Sequence, residues 1–252
     1  MTEVELSYEG DSARLTLNRP ARLNAFDLAL AAQLLSAVEE VSASECSSLV
    51  IQSTGRAFCA GGDVRAMSDS GSPDEYLRRL TDDVHAAITV IRALPMTVIA
   101  RVQGPVAGGG LGLMLAADVS IASDLATFTA GYGALGLSPD CGVSLQLPAA
   151  IGAQRARSFL LGMTPVDAQT AGDWGLVSRV VAHDALDTAV EEAVARARLI
   201  GAAAAGATKR LLDHTRWADG LEREAELISH LAATTARHRI DRYGARRVRS
   251  GR

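Results

Sequence analysis

Aromatic residues are scarce in this chain: four Phe, four Tyr and two Trp make up 4% of its 252 residues. A core short of large rings must be filled by Ala, Val, Leu and Ile, and with 23 glycines in the chain such a core favours close approach of backbones. Cysteine is equally sparse. Cys46, Cys59 and Cys141 are odd in number and lack CxxC spacing, which argues against a disulfide framework and the common zinc or redox motifs and fits a reducing compartment. A basic excess is also missing: 25 Lys and Arg face 29 Asp and Glu, a net charge of −4. No global field therefore points to nucleic acid or an anionic membrane as partner. The longest apolar stretch, about 96–122, is broken by Arg101, Gln103, Pro105 and Asp118 and does not read as a membrane span. The opening MTEVELSYEG carries acids and no signal-type apolar run, so the expected location is cytoplasmic.

What is present is 48% hydrophobic residue against 21% charged, enough for one sizeable core. Val4-Leu6-Tyr8 and Leu15-Leu17 alternate around the turn signal Glu9 to Ser12 and predict a hairpin. Asn24 or Asp27 can cap a helix whose Leu30, Leu34, Val38 and Val41 share one face. A buried strand at 49–51, a polar helix over about 73–94 stopped by Pro95, a strand at 98–102, a loop at 104–110, a short helix at 111–117 and a strand at 119–122 follow. Strands alternating with helices predict an α/β fold with mostly parallel sheets covered by helices. From about residue 184 the pattern becomes helical, with Leu186, Val190, Val194, Ala197 and Ile200 on one stripe. The expected division is a core over 1–183 and a helical C-terminal oligomerisation region over 184–252.

Several motif classes fail. No GxxxxGK[ST], GxSxG or HExxH occurs. A literal GxGxxG at 131–136 is followed by Leu137-Ser138-Pro139, which breaks the helix a dinucleotide site needs. His85, His183, His214, His230 and His238 are scattered, and each taken singly reads as a surface or capping residue; no metal site is expected. Two Gly-rich loops stand out, Ala60-Gly61-Gly62 and Gly108-Gly109-Gly110, each after a buried strand. Amides at such loops can converge on one oxygen and stabilise developing charge. The same glycines can serve tight turns and close helix packing, and spacing leaves both readings open.

The runs GRAFCAGGDVRAM (55–67), VQGPVAGGGLGLMLAAD (102–118), LGLSPDCG (135–142), AQTAGDWGLV (168–177) and the opening LNRPARLNAF together resemble the crotonase, or enoyl-CoA hydratase/isomerase, superfamily. The resemblance implies a crotonase-like spiral of strand-strand-helix units with a helical trimerisation region, acting on acyl-coenzyme A thioesters without a further cofactor. By that resemblance the Ala60 and Gly109 amides form an oxyanion hole. Ala21, Arg22 and Leu23 contact coenzyme A, as does the backbone of Gly61, Gly62, Asp63 and Val64. Self-association as a homotrimer or hexamer is implied as well.

Departures from the family pattern narrow the chemistry. Where hydratases of the superfamily carry two glutamates, this chain holds Gly112 and Tyr132, and neither can move a proton from water as a carboxylate does. Asp140 remains: in its PDCG context it resembles the catalytic aspartate of isomerase-like and some dehalogenase-like members, and it can also serve as a turn residue after Pro139. One carboxylate can take an α proton and return it at the γ carbon while the enolate waits, so isomerisation of a 3-enoyl to a 2-enoyl thioester is expected. Tyr132 is read as a substrate-orienting group or pocket wall. The alternatives are hydration, hydrolysis or dehalogenation, and a catalytically silent acyl-CoA binding protein. The tail 237–252 carries seven Arg against Asp241, read as a solvated or intersubunit surface or, less simply, a binder of phosphate-rich ligands or membranes.

Overall fold

The computed structural model describes residues 2–212 and 217–249, with side chains to residue 243. Strands β1 (Val4–Glu9) and β2 (Ser12–Leu17) form the expected antiparallel hairpin, Val4 opposite Leu17. Asp27 caps α1 (Leu28–Ser42), accepting Leu30 N–H at 2.9 Å. Asn24, the other candidate cap, is instead fully buried with φ 55° and donates to the Thr54 and Ala57 carbonyls at 2.9 Å each. Leu30, Leu34, Val38 and Val41 are wholly removed from solvent, worth about 1.5–3 kcal/mol per side chain.

The chain continues through β3 (Ser48–Ser53), α2 (Val64–Asp69), α3 (Pro73–Ala93), β4 (Thr97–Val102), β5 (Val106–Ala107), α4 (Gly109–Leu115), β6 (Val119–Ser123) and β7 (Thr127–Thr129). Then come α5 (Tyr132–Leu135), α6 (Val143–Ile151), α7 (Ala153–Gly162), β8 (Val166–Asp167), α8 (Ala168–Trp174) and β9 (Arg179–Val181). Helices α9 (Leu186–Ile200), α10 (Ala202–Leu212), α11 (Trp217–Ala233) and α12 (Arg237–Arg249) end it. The main sheet runs β1-β2-β3-β4-β6-β9, parallel except at the hairpin; β5, β7 and β8 form a second, small sheet. The segment 104–110, expected as loop throughout, contains β5 and the start of α4, because Val106 pairs with Phe128.

Alternation along the parallel strands divides the core. Leu49, Ile51, Val98, Ala100 and Ala122 face the large core with α1 and α3, while Val50, Ile99 and Ile121 turn to the other side. There they meet Leu186, Ala189, Val190, Ala193 and Val194 of α9. The helical character that begins near residue 184 thus starts with the cover of the sheet's second face, and α9 packs as part of the core. Farther on, α11 lies along α3, and α12 reaches α2 and α5.

Candidate active site

The two Gly-rich loops meet where Cys59 bridges Val106 and Ala107 N–H donates to the Cys59 carbonyl at 2.9 Å. The first loop ends at Asp63, whose carboxylate accepts the Arg65 and Ala66 amides at 3.1 and 3.2 Å to cap α2, and pairs with Arg19 at 2.9 Å. Arg19 also reaches Asp27 at 2.7 Å, so one partly buried guanidinium ties the caps of α1 and α2 together. The second loop ends as α4 starts at Gly109, whose first-turn amide has no acceptor within the helix. A largely apolar cavity of about 320 Å³ opens between the loops, α3 and α5.

One expected donor is placed differently. Ala60 N–H is engaged by the Leu23 carbonyl at 3.1 Å, because residues 23–26 run beside the loop and bridge Phe26 to Gly62. Ala60 remains a wall residue of the cavity. The Gly62 amide, also on the cavity wall, has no acceptor among the described residues. Arg22, Leu23, Asp63 and Val64 border an adjoining crevice that shares Gly62, Val64 and Tyr243 with the main cavity. Ala21 is exposed on the turn beside it, and Gly61 is buried behind Gly62.

Among the described residues that line the cavity, Asp140 is the sole carboxylate. It is 4% exposed, and its Oδ1 lies 2.6 Å from Nε2 of His85 on α3. His85 is therefore not the surface or capping residue that its sequence position suggested. It sits four residues after Thr81 and three before Ile88, on the buried face of α3. Burial opposes its protonation, but the hydrogen bond and charge of Asp140, then the charges of Glu224 and Asp82, outweigh that and raise its pKa. The contact thus favours the protonated form of the His85 ring. Of the other four histidines, His183, His230 and His238 are exposed as expected, and His214 lies outside the described residues.

Tyr132 lines the cavity and donates from its hydroxyl to the Asp140 carbonyl at 3.0 Å. Burial pushes its phenol well above the ordinary range, so it stays neutral. Burial, with Asp140 nearby, does the same to the Cys141 thiol, which leaves it a poor nucleophile. His85, Asp140 and Cys141 present three ligand-type atoms within 4.8 Å. The 2.6 Å contact between two of them is a hydrogen bond, shorter than the roughly 3.3 Å separating donors on one tetrahedral zinc.

Gly112, at the other glutamate position, faces the same turn. A Cβ there would fall 2.1 Å from the Cys141 carbonyl oxygen, so α4 and the Asp140–Cys141 turn pack too closely for any side chain at 112. Arg237 donates to the Gly71 carbonyl at 2.6 Å and Arg239 to that of Gly133 at 3.4 Å, tying α12 to its own chain above the cavity. The remaining tail arginines beyond residue 243 lie outside the described side chains.

These strand-strand-helix units, with a loop-built pocket closed by C-terminal helices, define a crotonase-fold protein. The chain belongs to the enoyl-CoA hydratase/isomerase family, whose pattern matches residues 9–246. It is 35% identical over 194 residues to the 1,2-epoxyphenylacetyl-CoA isomerase of Escherichia coli (strain K12), covering 75% of this chain and 74% of the relative. It is 28% identical over 192 residues to 4-chlorobenzoyl coenzyme A dehalogenase-2 of an Arthrobacter species, covering 75% and 70%. The crystal structure of an enoyl-CoA hydratase from Bacillus halodurans superposes with a TM-score of 0.88 at 26% identity, over 95% of this chain and 99% of that one. No described helix is long and apolar enough to cross a membrane.

Proposed function

We propose that this protein isomerises an enoyl-CoA, moving the double bond from the 3 to the 2 position, with Asp140 as proton shuttle. The observation that carries the reading is a cavity with one carboxylate: Asp140 lines it, while Gly112 has no room for a side chain and Tyr132 is a neutral phenol. The thioester carbonyl sits against the Gly62 and Gly109 amides, which stabilise the oxygen as negative charge develops. Asp140 removes the α proton, the electron pair moves into the enolate, and the proton returns at the γ carbon as the conjugated double bond forms. No water is consumed. His85, hydrogen-bonded to Oδ1 at 2.6 Å, orients the carboxylate in an otherwise apolar wall. The coenzyme A portion leaves through the crevice beside Arg22 and Leu23.

The His85–Asp140 pair favours one rival. A carboxylate can attack an activated carbon of the acyl group and the neighbouring imidazole, once deprotonated, can activate water to release the product, which is the logic of dehalogenation or hydrolysis. The test is to supply a 3-enoyl-CoA and follow absorbance of the conjugated thioester, with 2-enoyl-CoA hydration, coenzyme A release and halide release from a halogenated acyl-CoA measured in parallel. Conjugation supports the proposal. Halide or coenzyme A release supports the rival, and binding without any turnover supports a silent acyl-CoA binder. We also propose self-association as a trimer or hexamer, supported by Leu199, Leu211 and Leu212, which are 72–88% exposed on α9 and α10; a monomer by sedimentation would overturn this.

A further inference from the structure

The turn that carries Asp140 is gripped by a helix from the far end of the chain. Cys141 and Gly142, which follow Asp140, both have left-handed backbones, φ 60° and 74°. For Cys141 that conformation is costly unless its surroundings enforce it. Glu224 of α11, 4% exposed, commits both carboxylate oxygens to this turn. Oε2 accepts the Gly142 amide at 2.6 Å; Oε1 accepts the Ser144 amide at 2.9 Å and the Ser144 hydroxyl. Seven residues earlier on α11, Trp217 lies against the same turn: a Cβ at Gly142 would fall 2.3 Å from its indole ring. The indole N–H donates to Thr89 Oγ1 at 3.0 Å, and Thr89 Oγ1 donates to the His85 carbonyl at 2.7 Å. One helix thus touches the supports of both members of the His85–Asp140 pair.

Burying a carboxylate with no cation partner costs several kcal/mol unless hydrogen bonds offset it. Here the offsetting donors among the described residues all belong to the turn after Asp140, so the carboxylate and the turn's conformation stabilise one another. We infer that Glu224 is a positioning residue for the proton shuttle. It holds the 140–144 turn so that the Asp140 carboxylate keeps its contact with His85 and faces the cavity. This rests on the reading of Asp140 as the base. It also gives the C-terminal helices a part in the chemistry, beyond assembly.

The experiment uses the full chain and two variants, Glu224→Gln, which keeps size but puts an amide group against N–H donors, and Ser144→Ala, which removes one donor at an exposed position. Isomerisation of 3-hexenoyl-CoA gives kcat and KM, and exchange of the α protons of hexanoyl-CoA in D2O reports proton removal alone. A displacement of about 1 Å at a catalytic group costs up to roughly 100-fold. Glu224→Gln is therefore expected to lower kcat and the exchange rate about 10- to 100-fold with KM within about twofold. Ser144→Ala, losing one hydrogen bond, should lower them about two- to tenfold. Asp140→Asn is measured beside them. If it still exchanges at the wild-type rate, the base assignment fails and the inference with it. If it loses exchange while both Glu224→Gln and Ser144→Ala keep wild-type kcat, the inference alone fails. A loss confined to folded fraction or KM, with kcat per folded site unchanged, would likewise overturn it.

Discussion

Replacing Gly112 by Ala adds one carbon where the structure has no space for it. That carbon would lie 2.1 Å from the Cys141 carbonyl oxygen and 2.7 Å from the Cys141 Cβ, whereas close carbon–oxygen contacts settle near roughly 3.3 Å. Either α4 or the Asp140–Cys141 turn must yield by about 1 Å, and the obstructing atoms include backbone that cannot rotate away. Overpacking of this kind costs about 1–3 kcal/mol, which in a chain of this size lowers Tm by roughly 2–12 °C. Because the yielding element bears either the Gly109 amide or Asp140, kcat should fall by up to about 100-fold. Gly112→Glu places a carboxylate at the hydratase position but meets the same clash, and should gain no hydration. Thermal unfolding together with the isomerisation and hydration assays tests this. A Gly112→Ala protein with unchanged Tm and full kcat, or a Gly112→Glu protein that hydrates, would refute the reasoning.

His85 has a raised pKa in the folded chain, so the protonated pair contributes stability that is fully present below the ordinary His value near 6.5 and is lost as pH rises through the folded value. Wild-type Tm should therefore fall more steeply than that of His85→Gln as pH rises above about 6.5; parallel slopes would contradict the assignment. Gly109→Pro deletes a proposed oxyanion donor and should cost about 2.7–4 kcal/mol in kcat, measured on protein shown to be folded by circular dichroism, and near-normal turnover would remove Gly109 from the site. Tyr132→Phe removes the hydrogen bond to the Asp140 carbonyl and should lower kcat about two- to tenfold; a KM change alone would make Tyr132 a wall residue.

Local patterns carried the fold. The hairpin around Gly10, the α1 stripe and the stop at Pro95 are each decided within a few residues, and the structure has all three. β5, β7 and β8 span two or three residues each, too short for a period of two to register. The candidate site was legible in part. Asp140 and the second Gly-rich loop line the cavity, but amide direction in the first loop follows from the Phe26–Gly62 bridge, which spacing along one strand cannot reveal. A lone histidine carries no signal of its own, so His85 stands out only through Leu77, Thr81, Val84 and Ile88, which mark the face on which it lies. Glu224 gave no local signal at all: its hydrogen-bond partners are 80 and 82 residues away.

The central claim is that one carboxylate moves the proton. The paired assay of 3-enoyl-CoA isomerisation and 2-enoyl-CoA hydration, run on wild type and Asp140→Asn, tests it most directly. A positioned acid–base group contributes about a hundred- to ten-thousand-fold, so isomerisation should fall by that order in Asp140→Asn. Acyl-CoA affinity by calorimetry should persist, since backbone amides hold the thioester, and hydration should be weak in both proteins. Efficient hydration by the wild type, unchanged by the substitution, would contradict the account.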